Sequence, residues 1–231
     1  MSVQGSVRER RRAETIQEIK TAALEQLVAS GTGGLSLRGV ARTVGMTVQS
    51  LYHYFDNRDA LITALMEDGH EALADAVATA AEASAGRSSL ERRLAVSEAF
   101  RAWAVANGSM FLLLFGTPVP GFEPLPGNQM GPATARLAGA FFETVFEGWT
   151  GEQLAAIPLP IPDGEIAGVQ HPEIPVPPGA LSLFIELRAR IHGLVMLELA
   201  GELHPYNEHG AALFRSAVHR WSAEMDALQQ G

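Results

Sequence analysis

The stretch from Leu35 to Met66, LSLRGVARTVGMTVQSLYHYFDNRDALITALM, decides the fold. Leu37, Val40, Ala41 and Val44 recur at helical spacing and give a small apolar face to a short helix from about 36 to 43, with Ser36 as its N-cap. Leu51 and Phe55 give a second face to a helix from about 47 to 54, capped by Thr47. Gly45 lies between them, where the chain must turn sharply. Two short helices crossing over such a turn make a helix-turn-helix. A second helix of about eight residues is about 12 Å long, which the major groove of DNA accepts.

The inward pair Leu51 and Phe55 fixes what points outward. At 100° per residue, Gln49, Tyr52 and His53 face solvent. Gln49 can pair in bidentate fashion with adenine, and His53 can donate to a guanine acceptor or to phosphate. Thr47, at the helix N-terminus, can hold a phosphate through its hydroxyl and nearby N–H groups. Tyr52 offers a hydroxyl to the backbone, and Tyr54 either does the same or packs against the preceding helix. Val48 either touches a thymine methyl or joins the core, and Ser50 either reaches DNA or only shapes the helix. Ser36 and Arg38 complete the expected contacts on the first helix of the motif.

Upstream, Ile16, Ile19, Ala23, Leu24, Leu27 and Val28 form one apolar stripe of a helix that ends at Ser30–Gly34. Before it lies a basic run with Arg8, Arg10, Arg11 and Arg12, either a solvated tail or an arm reaching along the phosphates or into a minor groove. Arg11 and Arg12 are the expected contacts. The chain of 231 residues carries net charge −9, yet residues 1–60 hold eight Lys/Arg against six Asp/Glu, a local +2, and the remainder carries −11. A mildly basic head on an acidic body suits a protein that presents one end to phosphates.

The combination of Ala41, Val44-Gly45-Met46, Leu51-Tyr52, His53-Tyr54-Phe55, Arg58 and Leu61, over about residues 10–66, resembles the DNA-binding signature of the tetracycline-repressor (TetR) family. The resemblance implies operator binding through this head, with Arg58 standing near the DNA backbone where the family usually has Lys. It also implies a ligand-sensing helical body. Here Phe100-Arg101-Ala102-Trp103, Phe111–Gly116 and Arg190-Ile191-His192-Gly193 look like the TetR-type C-terminal domain named for a Trp-His-Gly motif, with Ile191 in place of the Trp.

The body reads as helical throughout. A long helix begins near Asp59 with Leu61, Leu65, Leu73 and Val77 on one side, and helices follow at about 90–106, 110–115, 133–149, 180–200 and 207–228. Residues 116–132 read as a loop, as do residues 154–178, whose seven prolines forbid a regular helix. The expectation is an all-α protein: residues 1–57 form a three-helix DNA-binding domain, and residues 58–231 a helical effector-binding and dimerisation domain. The helix from Asp59 would link the two. The segment LSLFIELRARIHGLVMLELAG, apolar on nearly all sides, predicts burial on more than one face. Leu183, Phe184, Leu187 and Leu194, with Phe214, Val218 and Trp221 of the last helix, are the expected homodimer interface. Phe100, Trp103, Phe111, Phe115, Phe141, Phe142 and Met196 offer an apolar pocket for a small effector, with Glu143 and His192 as polar contacts. The competing reading makes these aromatics ordinary core.

Other classes find little footing. The chain has no cysteine, and it has no run of about 18 apolar residues, no nucleophile elbow, no Walker loop and no dinucleotide fingerprint. Glu67-Asp68-Gly69-His70 is a single Glu-x-x-His, where a di-iron bundle needs two. No cofactor, bound metal or membrane partner is expected, and the protein is read as cytoplasmic. The rival readings are an adaptor that uses a degenerate helix-turn-helix to bind protein, and a helical metalloenzyme.

Overall fold

The computed structural model describes residues 3–116, 119–122, 131–159 and 176–230. Among them every regular element is helical. The chain divides into two compact units, one of residues 1–71 and 107–129, the other of residues 72–106 and 130–231.

The first unit is built on α1 (Val3–Ser30), which buries Ile19, Ala22, Ala23 and Leu27. Val28 is 67% exposed instead of sharing that stripe; nine residues on from Ile19, it lies about 180° round the helix. Helix α1 stops at Gly31, whose φ of 67° suits glycine. Helix α2 (Leu37–Thr43) starts at Ser36, whose Oγ accepts from the Gly39 N–H at 3.1 Å. The Ser36 N–H donates in turn to Gln26 Oε1 at 3.0 Å, tying α2 to α1.

Helix α3 (Val48–Leu51) is capped by Thr47 and is shorter than the sequence predicts. Residues 52–54 continue as a tightened turn, in which the His53 N–H donates to the Ser50 carbonyl and that of Tyr54 to Leu51. Helices α4 (Arg58–Ala83) and α6 (Gly108–Phe115) follow. At Gly69 on α4 a Cβ would lie 2.6 Å from Met110 Sδ, so the glycine leaves room for that side chain of α6. Lys20 on α1 pairs with Asp68 on α4 at 2.8 Å.

Leu113 of α6 and Val119 of the following turn are buried in the same cluster as Val40, Leu51, Leu61 and Leu65. The first unit thus holds the head expected over 1–57, together with the start of α4, α6 and residues 119–122.

In the second unit α5 (Ser89–Ala106) packs against α7 (Pro132–Val145), α9 (Pro178–Leu199) and α10 (Gly210–Gln230). A short α8 (Gly151–Ala156) overlaps the start of the loop expected at 154–178, because Thr150 and Gln153 close a reciprocal capping box. Most of that proline-rich stretch, residues 160–175, lies outside the described residues.

Arg93 on α5 is fully buried. Its guanidinium pairs with Asp226 at 2.7 Å, donates to the carbonyls of Ser222 and Val145, and lies over the Trp221 ring at 5.9 Å. One cation thereby joins α5, α10 and the end of α7. Replacing Arg93 with Ala strips two carbonyls and a carboxylate of their shared donor. Urea unfolding should show a loss of about 3 kcal/mol, since two carbonyls lose their donor and a fully buried side chain leaves a cavity, whereas Arg215→Ala, which breaks the exposed pair with Glu98, should cost under about 1 kcal/mol.

Candidate nucleic-acid interface

The reading face follows from what α3 buries. Leu51 is fully buried and Phe55 nearly so, in one cluster with Val40 and Ala41 of α2 and Ile19 of α1. Gln49, Tyr52 and His53 are exposed on the other side. Val48 and Tyr54 are half-buried against the core, so each leans toward packing. Thr47 Oγ1 accepts from the Ser50 N–H at 3.1 Å, and the two hydroxyls lie 2.8 Å apart. Gly45, at φ 69°, makes the turn between α2 and α3, and the Met46 N–H closes it on the Ala41 carbonyl at 2.9 Å. Left-handed backbone is cheap only for glycine.

The predicted contacts fall into two groups. Ser36, Arg38, Thr47, Gln49, Tyr52 and His53 are exposed, Ser50 is half-buried, and Arg11 is exposed on α1. Arg12 and Arg58 are engaged with the protein itself. Arg12 Nη2 donates to the His53 carbonyl at 3.2 Å, and its guanidinium sits 5.0 Å from the centre of the Tyr54 ring. Arg58 donates from Nε to the Leu35 carbonyl at 3.0 Å and from Nη1 to the Pro120 carbonyl at 3.2 Å.

The residues predicted for an effector pocket are divided between the two units. Phe111 and Phe115 lie in the first unit, 5.0 Å apart, and His70 meets Phe115 edge-on. His70 Nδ1 lies 2.9 Å from the Met66 carbonyl. Among the described residues no three His, Cys, Asp or Glu side chains gather as a metal site, and no helix is long and apolar enough to cross a membrane.

The remaining pocket candidates lie in the second unit. Phe100 of α5 meets Phe141 of α7 at 5.7 Å and His192 of α9 at 4.8 Å. Phe142 packs instead on Phe146 and Phe184. Trp103 and Met196 are half-buried, and Glu143 is exposed.

Of the predicted dimer residues, Phe184, Leu187, Phe214, Val218 and Trp221 are buried within the protomer, while Leu183 and Leu194 are half-buried. An apolar groove runs between α9 and α10, lined among others by Leu194, Leu197 and Ala217 and rimmed by the Arg190–Glu224 pair at 2.5 Å. Leu197 is 46% and Ile185 55% exposed. Leu194 is among the residues expected at the dimer interface, and Leu197, three positions on, is the residue of this face that the expectation lacks.

Burial pushes the His192 imidazole down to about 4, against a hydrogen bond with the Arg188 carbonyl at 2.9 Å that favours the charged form, and with the Arg188 charge adding to the depression. The folded protein therefore holds a neutral ring at pH 7. The unfolded chain, near its ordinary value of 6.5, binds the extra proton first as pH falls. Stability should fall from about pH 6.5 toward pH 4, by about 2 kcal/mol between pH 7 and pH 5. Urea titrations at both pH values should show this component vanish in His192→Phe.

Residues 94–221 match the family model described as Tetracyclin repressor-like, C-terminal domain. Residues 19–65 match that of Bacterial regulatory proteins, tetR family. The HTH-type transcriptional regulators Rv1816 of Mycobacterium tuberculosis and Mb1846 of Mycobacterium bovis are 41% identical over 123 residues, which is 53% of this chain and 52% of theirs. The match thus spans about half the length of those relatives. The crystal structure of the regulatory protein SCO4313 superimposes with a TM-score of 0.72 at 31% identity, covering 96% of this chain and 98% of that one. A TetR variant from Acinetobacter baumannii in complex with minocycline shares the fold at a TM-score of 0.55 and 16% identity, covering 91% of this chain and 96% of its own.

Proposed function

Because this chain belongs to the TetR family of bacterial transcription regulators, we propose that it is a ligand-responsive repressor. It binds a palindromic operator in the cytoplasm as a homodimer and is released by a small, mostly apolar effector. The observation that carries the reading is the Thr47-capped α3, with Leu51 buried and Gln49, Tyr52 and His53 exposed side by side. Gln49 and His53 read base edges. Ser36, Arg38, Thr47, Ser50 and Tyr52 hold the backbone, and Arg11 reaches phosphate from α1.

A homodimer is the state that presents two such helices to successive grooves. The α9–α10 groove, with Leu194 and Leu197 at its surface, supports pairing of this face with its symmetry mate. The effector belongs with the aromatic cluster of Phe100, Phe141 and His192 in the second unit. There a neutral imidazole suits an uncharged ligand better than an anionic one. Residues 1–57 carry DNA recognition and 58–231 carry sensing and assembly. A coupling of about 1–3 kcal/mol between the sites changes operator affinity 5- to 150-fold.

Selection from a random duplex pool should enrich a palindrome. Gln49→Ala and His53→Ala should each lose about 1–3 kcal/mol of discrimination at their own base positions, read by competition binding. Enrichment of no sequence would overturn the reading. Leu194→Asp with Leu197→Asp should give a monomer by sedimentation velocity and abolish cooperative occupation of both half-sites. A dimer that survives the pair would place the interface elsewhere.

A further inference from the structure

We infer that Arg12 and Arg58 are not the phosphate contacts that their charge and place in the sequence suggest, but positioning residues that pin the helix-turn-helix at its two ends. This deepens the DNA-binding reading above and rests on it. The motif begins after the carbonyl of Leu35 and ends at the turn of His53 and Tyr54. Arg58 holds the first end and Arg12 the second.

The geometry at each end favours arginine over lysine. Arg58 is half-buried and bridges two carbonyls from different segments, Nε to Leu35 and Nη1 to Pro120. A lysine has one nitrogen and no fixed fork with which to span both. Arg12 combines a donor to the His53 carbonyl with a guanidinium against the Tyr54 ring. Arginine is favoured there too, since its planar cation both stacks and donates.

The need for such clamps follows from the size of α3. Val48–Leu51 makes barely one turn of α-helix, and the chain after it is held by two i→i+3 bonds and one i→i+4 bond, from the Phe55 N–H to the Leu51 carbonyl. So short a helix is marginal by itself, and its aim depends on what fixes its ends. His53 carries both the clamped carbonyl and an exposed imidazole on the reading face. Loosening Arg12 therefore disturbs the base-reading side chain directly.

The clamp at Arg58 has a second limb. Pro120 lies in the turn whose Val119 is buried in the core of the first unit, and its ring is 3.9 Å from the place a Cβ would take on Gly33. The start of the helix-turn-helix, at Leu35, is thereby fastened through Arg58 to Pro120, which lies 62 positions beyond that arginine.

Charge-preserving variants separate the two roles. Arg12→Lys and Arg58→Lys keep a cation for phosphate but lose the fork. A phosphate contact is retained by Lys and, when removed by Ala, lowers the slope of log affinity against log salt by about one. Clamps behave otherwise. Lys should fail to rescue, and each variant should lose about fivefold in preference for the selected duplex over a scrambled one. The salt slope of Arg12→Ala and Arg58→Ala should match that of the parent, all at a temperature well below the unfolding midpoint.

Amide hydrogen exchange on the DNA-free protein reads the clamp without an operator. Residues 52–55 should exchange faster in Arg12→Ala, and residues 36–40 in Arg58→Ala. Rescue by Lys together with a reduced slope in Ala would overturn the inference and leave DNA recognition standing. Unchanged exchange at both ends would overturn it whether or not an operator is found. A parent protein that prefers no duplex, with the exchange changes present, would remove the DNA-binding reading and keep the clamps.

Discussion

Everything the head can do depends on which side of one helical turn is buried. Leu51 has no exposed surface, and it shares one buried cluster with Val40 and Ala41 of the helix that α3 packs on. Close packing of that kind tolerates little change in volume. A larger residue at Ala41 would push α3 outward, and a smaller one at Leu51 would let it roll. Either displacement moves Gln49, Tyr52 and His53 together, because they share one turn with the buried leucine. The aim of the face proposed to read bases thus follows from buried apolar packing.

The head was legible in the sequence because its signals are local. Ser36 and Thr47 each cap the helix they precede, and Gly45 supplies the left-handed turn between them. Leu51 and Phe55 fix the inward face by spacing alone. The family matches and the superposition at 31% identity agree with that reading. What the sequence left open was length. Eight residues from Thr47 to Tyr54 read as a helix, while only Val48–Leu51 is α-helical, since the tightened turn after Leu51 keeps the same residues on the same faces.

Long-range contacts were not legible. Nothing in the run Leu90-Glu91-Arg92-Arg93-Leu94 distinguishes Arg92, which pairs with Glu147, from Arg93, which is buried among α5, α7 and α10. The choice is made by helices more than fifty positions away. Likewise nothing in the sequence announces that Arg58 donates to a carbonyl before α2 and to another in the turn after α6. Glu143 and Phe142 show the same limit. An apolar inventory cannot say which aromatic faces a neighbour, and here Phe142 turns to Phe184 as Phe141 turns to Phe100.

Leu113 and Val119 finish the core of the first unit from beyond α5. Seen from the ribosome, the helix-turn-helix emerges early but lacks two of its buried side chains until the chain has grown past residue 119. Seen by an engineer, the portable piece is larger than the stretch that matches the DNA-binding family model. A chimera that swaps only residues 1–66 between two such regulators would join a head to foreign plugs at 113 and 119. A swap that carries residues 107–122 along would move the core intact.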